Sequence, residues 1–139
     1  RITAGTGLRH SEFNPDPQRP VHFYQIWLLP ERNGLEPSWE QKRLDIAPNR
    51  WTLAASPDGA DGSLTIRQDA RLWIGRLGVG GALDYTLAPG RHAWVQVTRG
   101  QVTVDGTALR AGDGLAISDE SRVQVQSAEG GEVLLFDLA

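Results

Sequence analysis

His10 and Glu12 are the residues of this chain most suited to chemistry, because a single residue separates them within the run Gly7–Asn14. On an extended strand, residues i and i+2 project to the same face. An imidazole nitrogen and a carboxylate oxygen would then point at one place, and this donor pair suits a divalent ion such as Fe, Mn, Co, Ni or Zn. Protein metal sites usually take three or four protein ligands. The pair alone therefore predicts half of a metal site.

His22 is a candidate for a further donor. A hairpin centred near Asp16 would place His22 across from His10, because cross-strand neighbours lie about 5 Å apart at Cβ. His22 would then act as a third ligand or as an outer proton relay. The alternative, which we favour, is a histidine that packs beside Phe23 and Tyr24.

The composition indicates about one domain and excludes several classes of function. The chain has 139 residues, of which 40% are hydrophobic, enough for one core. A net charge of −3 without any Lys/Arg block argues against a nucleic-acid interface. The absence of cysteine excludes disulfides, iron–sulfur clusters and thiol nucleophiles. We find no run of 18 apolar residues and no signal peptide, so we expect a soluble, cytoplasmic protein without a membrane partner.

Short β-branched and aromatic runs between turn residues predict an all-β fold, and no sustained helical period is present. The longest predicted strand is Val21–Leu29, which ends at the turn Pro30–Gly34. Asp105-Gly106 is the strongest hairpin signal, since a type I′ turn needs positive φ at both positions. A turn is also predicted at Arg99-Gly100. The other predicted strands are Arg50–Ala55, Ser63–Gln68, Leu72–Leu77, Leu83–Leu87, His92–Thr98, Gln101–Val104, Leu115–Ile117, Arg122–Gln126 and Val133–Leu138.

The order of motifs resembles a known family. Gly7-x-x-His10-x-x-x-Asn14 looks like the second signature motif of the cupins, which are small jelly-roll barrels that hold a metal. The wider run Ile2–Leu44 resembles the pirins, a family of two-cupin proteins, since AGTG-x-x-HSE is followed by VHFYQIW and then by PSWEQ. Three later segments look like the C-terminal cupin of bacterial pirin-like proteins: Ala93–Gly106, Gly112–Glu120 and Glu132–Leu138.

The resemblance implies a metal held by three histidines and one glutamate in the N-terminal cupin. His10 and Glu12 match the second pair of these ligands, and the earlier H-x-H pair is missing from this sequence. Fe is the expected ion, with Cu, Ni, Co, Mn and Zn as alternatives, and little or no metal is expected in this chain by itself. The resemblance also implies a dioxygenase that opens flavonols such as quercetin, in which Glu12 would accept a proton. The alternative is a non-enzymatic metal-binding protein with an interaction or regulatory role.

The C-terminal cupin is expected to hold no metal, because His92-Ala93-Trp94 stands where an H-x-H pair would be and lacks the second histidine. The five tryptophans are expected mostly in the core, although one or two could line a flavonoid-sized pocket. They are Trp27, Trp39, Trp51, Trp73 and Trp94.

We therefore predict an all-β cupin (double-stranded β-helix) jelly roll in two parts. Residues 38–139 form a complete C-terminal cupin, and residues 1–37 are a remnant of the N-terminal cupin that includes an extra hairpin. Because the chain opens at Arg1 and contains no methionine, we interpret it as a fragment. Strands within residues 1–29 would lack their partners, so we expect self-association through this region. A small aromatic substrate is the other expected partner, and nucleic acid is not.

Overall fold

The computed structural model describes all 139 residues, and it confirms the all-β prediction. Apart from one short 3-10 helix at Ala60–Gly62, the regular structure consists of strands. Numbered along the chain, these are β1 (Ile2–Thr3), β2 (Ser38–Trp39), β3 (Trp51–Ser56), β4 (Leu64–Thr65), β5 (Ala70–Leu77), β6 (Gly81–Thr86), β7 (His92–Val104), β8 (Thr107–Arg110), β9 (Gly114–Ile117), β10 (Arg122–Ser127) and β11 (Gly131–Leu138).

Nine of the strands form one curled sheet, and β1 pairs with β2 in a small separate sheet. The order in the large sheet is β4-β3-β5-β11-β7-β10-β6, with β8 and β9 also paired to β7. The first half of β7 pairs with β11 and β9, whereas its second half pairs with β8 and β10. The long strand β7 therefore belongs to both halves of the sheet: the half that pairs with β11 and β9, and the half that pairs with β8 and β10. The sheet curls around an apolar interior.

The predicted turn at Arg99-Gly100 is wrong, because β7 continues through it as one strand of 13 residues. The register between β7 and β11 shifts beside Glu132. Thr98 is the extra residue at this bulge, and its hydroxyl donates to the Glu132 carbonyl at 3.0 Å. Gly100 has φ of 73°, which bends the strand without ending it. Glycine within a strand commonly marks such a bend.

Alternating apolar residues of the strands form the core inside the curled sheet. On β7, β10 and β11 the fully buried members include Val95, Val125 and Leu135, each with no exposed surface. Burial of such a side chain contributes about 1.5–3 kcal/mol. β11 also has Leu134 and Phe136 nearly buried on its outer face. Its sequence is therefore apolar on both faces, with only Glu132 and Asp137 as charged residues.

The predicted strand Val21–Leu29 is wrong, and so is the predicted hairpin around Asp16. A turn exists there, since the Asn14 amide donates to the carbonyl of Arg19, but no ladder follows it. Residues 8–29, which we call the N-terminal segment, lie outside every strand and make no backbone–backbone hydrogen bond. A strand requires a neighbour to which its amides can bond. High β-propensity in this segment cannot supply that neighbour.

The Asp105-Gly106 hairpin is confirmed, with Val104 opposite Thr107 across the turn. Asp105 has φ of 46° and Gly106 has φ of 84°. Both central residues therefore have the positive φ that a type I′ turn requires.

Substituting Gly106→Ala is expected to lower the free energy of unfolding by about 1 kcal/mol. A Cβ at this position would meet no atom within 4 Å, so the cost arises from backbone strain alone. Gly78→Ala is the matched control, because φ there is not positive and the nearest contact is an ordinary 3.6 Å from Asn49. Urea unfolding followed by circular dichroism measures both variants. Equal losses in the two would contradict the backbone explanation.

Candidate functional site

The structure brings His10 and Glu12 together, as their spacing predicts. His10 Nε2 lies 3.9 Å from Glu12 Oε1, and their side chains are 43% and 50% exposed. The two side chains thus lie on the same side of the chain, as the i, i+2 spacing predicts, although the segment belongs to no sheet. Two donors that are each about 2.1 Å from one ion lie at most about 4.2 Å apart. The observed 3.9 Å is wider than the roughly 3.4 Å that a tetrahedral ion would set between two such donors, so a small rotation of either exposed side chain would bring the pair onto one ion.

The chain brings no third donor to this pair. No cluster of three or more His, Cys, Asp or Glu side chains with metal-binding geometry occurs in the structure. His22 instead packs against Tyr24, with ring centroids 5.1 Å apart and planes tilted by 59°. Packing beside an aromatic neighbour is the alternative that we favoured for His22 from the sequence. His10 and Glu12 thus provide two donors of a site that needs more, and their role as ligands stays a prediction.

His92 begins β7, and its Nδ1 atom lies 2.8 Å from the Ser118 hydroxyl. The residue is exposed, and the next residues along the strand alternate between the core and the outer face. A hydrogen bond to a serine at the end of the neighbouring strand β9 explains this histidine without a metal. That the C-terminal cupin holds no metal remains a prediction.

The expectation that most of the tryptophans lie in the core is wrong. Trp27 and Trp39 are 87% and 74% exposed, and Trp94 is 39% exposed. Trp51 and Trp73 are half-buried and pack against the main core. Their indole N–H groups donate to oxygen acceptors at 2.9 and 3.0 Å. Tryptophan needs such a polar partner when it is buried, and these two positions at the edge of the core provide one.

An apolar cavity of about 350 Å³ lies between residues 24–28 of the N-terminal segment and the outer face of β7 and β11. Trp27 contributes to one wall, and Trp94 with Phe136 contributes to the other. The Trp94 ring lies so close to Gly114 that a Cβ there would be 2.2 Å from it. Two of the five tryptophans therefore line an apolar cavity, as the sequence allowed.

A buried polar network inside the C-terminal barrel was not anticipated from the sequence. The Asp137 side chain is 5% exposed and forms an ion pair with Arg91. The Tyr85 hydroxyl donates to Asp137 Oδ2 at 2.6 Å and accepts from the Trp73 indole at 3.0 Å. Burial and the adjacent carboxylate together raise the pKa of Tyr85, so it stays a neutral donor. The aspartate within the apolar run EVLLFDL was the available signal.

A second network connects the residues after β2 to the large sheet. Lys42 Nζ lies 2.8 Å from Glu40 Oε1, and the Thr65 amide donates to Glu40 Oε2 at 3.1 Å. Arg1 also reaches this carboxylate, at 3.4 Å. The hydrogen bond from Lys42, followed by that from Thr65, lowers the pKa of Glu40 to about 2. Glu40 is therefore a charged anchor between the N-terminal region and the barrel at any ordinary pH.

No helix in the structure combines the length and apolar character that crossing a bilayer would require.

Known proteins resemble this chain over nearly its full length. A quercetin 2,3-dioxygenase of Escherichia coli K12 is 43% identical over 137 residues, which is 99% of this chain and 59% of that protein. A pirin-like protein of Caulobacter vibrioides is 36% identical over 142 residues. The crystal structure of the bacterial pirin YhhW from Escherichia coli in complex with nickel(II) superposes with a TM-score of 0.90 at 42% identity, covering 99% of this chain and 59% of that one.

The chain thus spans about 59% of the length of these relatives, and its cupin fold is confirmed by the superposition. The family model described as the quercetinase C-terminal cupin domain matches residues 53–138, which lie inside the predicted C-terminal cupin. Both observations agree with the order of motifs in the sequence. The chain belongs to the pirin family.

Proposed function

We propose that His10 and Glu12 supply half of a divalent metal centre, and that a pirin of full family length carrying this pair is a flavonol dioxygenase. The observation that carries the proposal is the 3.9 Å separation of the two donor atoms in a chain of this family. Support also comes from relatives described as quercetin 2,3-dioxygenases and from the nickel(II) complex of a bacterial pirin.

The two side chains would have different roles. His10 would offer a neutral imidazole nitrogen, and its other ring nitrogen is free to take an orienting partner. Glu12 would offer one carboxylate oxygen, and it would also accept the proton that a flavonol hydroxyl releases. A bound divalent ion supplies the Lewis-acid chemistry that favours the deprotonated hydroxyl. Both side chains are about half exposed, so a substrate and water can reach them.

Iron is the ion that we propose for the native site, with Ni, Cu, Co, Mn and Zn as alternatives. A mixed nitrogen and oxygen donor set accepts all of these ions, and their availability then decides which one binds. Nickel(II) is the most practical probe, because it occupies the structure of a pirin with 42% identity.

We also propose a boundary near residue 37, with residues 1–37 belonging to an N-terminal cupin and residues 38–139 forming the C-terminal cupin. The contrast in packing supports this division. The N-terminal segment has exposed Phe23, Trp27 and Leu29, whereas the core cluster begins at Leu77 and ends at Leu135. Surfaces of this kind recruit another chain, so the isolated chain is expected to self-associate through residues 1–29 and to lack dioxygenase activity.

The alternative function is a metal-binding interaction protein without an enzymatic role. The exposed apolar side chains beside the two donors favour it, since they form a surface that a protein partner could cover. Phe13 is 82% exposed and follows Glu12 directly.

Oxygen uptake with quercetin separates the two functions. The test protein is a fusion in which this chain is preceded by the part of the Escherichia coli relative that the resemblance places before His10. When loaded with iron or nickel, the fusion is expected to consume oxygen, whereas this chain alone is expected to consume none. Glu12→Gln in the fusion should lower kcat by about 100-fold or more, because general-base assistance contributes about that much.

His92→Ala is the matched control in the fusion and should leave uptake unchanged, because its ring bonds to Ser118 and not to the metal pair. If the metal-loaded fusion binds quercetin but consumes no oxygen with any first-row ion, the interaction function is the correct one.

A further inference from the structure

We propose that Tyr85 is a redox-active tyrosine, which gives its electron to a neighbouring tryptophan, Trp51 or Trp73, and its proton to Asp137. The tryptophan is first oxidised by a one-electron oxidant at the protein surface, such as an oxygen-centred radical. All four residues belong to the large sheet. The inference therefore does not depend on the proposed metal ligands.

A proton acceptor in contact with the hydroxyl is the first reason. A phenol loses an electron far more readily when a base takes its proton in the same step, because the cationic radical is a very strong acid. Asp137 Oδ2 lies 2.6 Å from the Tyr85 oxygen, which is within the reach that proton transfer needs. The carboxylate is nearly buried and pairs with Arg91, so it is held in place beside the hydroxyl.

Two indole rings beside Tyr85 are the second reason. The ring centroid of Tyr85 lies 5.6 Å from that of Trp73 and 6.1 Å from that of Trp51, with edge-on geometry in both pairs. Aromatic rings in such contact exchange an electron readily, since no saturated gap separates them. Trp73 also donates its indole N–H to the Tyr85 oxygen at 3.0 Å, and this donor stabilises the oxygen after its proton has left. Trp51 is half-buried, so an oxidant can reach it from solvent.

The composition is the third reason. The chain contains no cysteine and no methionine, so its five tryptophans and two tyrosines are the side chains that a one-electron oxidant attacks most readily. Of the two tyrosines, only Tyr85 donates a hydrogen bond to a carboxylate. Tyr24 is 42% exposed and packs against the His22 ring. The chain therefore contains a matched comparison for the buried tyrosine.

The proposed step balances electrons and protons. The oxidant takes one electron from Trp51 and leaves an indole radical cation. Tyr85 then passes one electron to this indole while its hydroxyl proton moves to Asp137 Oδ2. The products are a neutral tyrosyl radical, a neutral carboxylic acid and a restored tryptophan. A reductant such as ascorbate returns the electron to the tyrosyl oxygen, and the proton moves back from Asp137. One buried phenol thus holds an oxidising equivalent that would otherwise damage exposed indoles.

Flash photolysis of the full chain with tris(bipyridine)ruthenium(II) and persulfate tests the proposal, with radicals identified by transient absorption and by EPR. We expect a tyrosyl radical to form as tryptophan radicals decay. Tyr85→Phe should leave tryptophan radicals only, whereas the matched variant Tyr24→Phe should keep the tyrosyl signal. Asp137→Asn should slow tyrosyl formation by about 100-fold, since a positioned base contributes about that much to a proton transfer.

Heavy water provides a second measurement on the unaltered chain, which matters if Asp137→Asn does not fold. The tyrosyl radical should form more slowly in heavy water, because the proton moves together with the electron. Equal rates in light and heavy water would overturn the role of Asp137. A tyrosyl signal that survives Tyr85→Phe, or an unaltered chain that forms only tryptophan radicals, would overturn the assignment of Tyr85. These outcomes leave the metal proposal untouched, since the photolysis uses no bound metal.

Discussion

Replacing Asp137 with alanine is expected to lower the free energy of unfolding by about 3 kcal/mol. The carboxylate is nearly buried, pairs with Arg91 and accepts from the Tyr85 hydroxyl at 2.6 Å. Its removal leaves a half-buried hydroxyl and a mostly buried guanidinium without their main acceptor, and each unmet group carries a desolvation penalty. Arg91 keeps its contact with Asp69 at 3.0 Å, which places the loss at the lower end of the range for broken buried pairs. Urea unfolding monitored by tryptophan fluorescence measures it.

Asp69→Ala is the matched control, because it removes the other carboxylate from the same arginine. The Asp69 side chain is 62% exposed, so its loss should cost no more than about 1 kcal/mol. If Asp137→Ala does not fold, Asp137→Asn provides the measurement, since the amide still accepts a hydrogen bond and should cost less. Equal effects of Asp137→Ala and Asp69→Ala would show that burial of the network does not matter.

Completing the N-terminal cupin is expected to raise the affinity for nickel(II) by more than about 100-fold over that of the isolated chain. The reason is the number of donors, because the fusion used for oxygen uptake would add the H-x-H pair to His10 and Glu12, and four ligands are the usual complement. Calorimetric titration should give one nickel per chain. The fusion should also bury Trp27, which a blue shift in fluorescence would report.

His10→Ala in the fusion should remove most of this gain, and His22→Ala should not. The rings of His22 and Tyr24 are packed against each other, which leaves His22 outside the donor set. If His22→Ala abolishes nickel binding as fully as His10→Ala does, then the hairpin arrangement rejected for this chain forms once the first cupin is complete.

The features that depend on neighbours in the sequence were predictable. The i, i+2 spacing predicted that His10 and Glu12 converge, and the two side chains meet although no sheet forms there. The Asp105-Gly106 hairpin follows from the positive φ that these two residue types tolerate. Short β-branched runs between turn residues likewise located β3, β5, β10 and β11 to within two residues at each end.

The features that depend on distant partners were not predictable. Arg99-Gly100 has the composition of a turn, yet β7 passes through it because β11 shifts register beside Thr98. Trp94 lies outside the core because its position on β7 faces outward, and only the pairing of the sheet fixes that direction.

By itself, the sequence determined which pair of side chains could bind a metal, where the Asp105-Gly106 hairpin turns and where most of the short strands lie. These are local properties that two to five consecutive residues settle. The tertiary structure alone decided that Asp137 meets Tyr85 and Arg91 inside the barrel, and that Val21–Leu29 has no strand beside it. A side chain finds a distant partner, and an extended segment becomes a strand, only when the rest of the fold places another part of the chain alongside it.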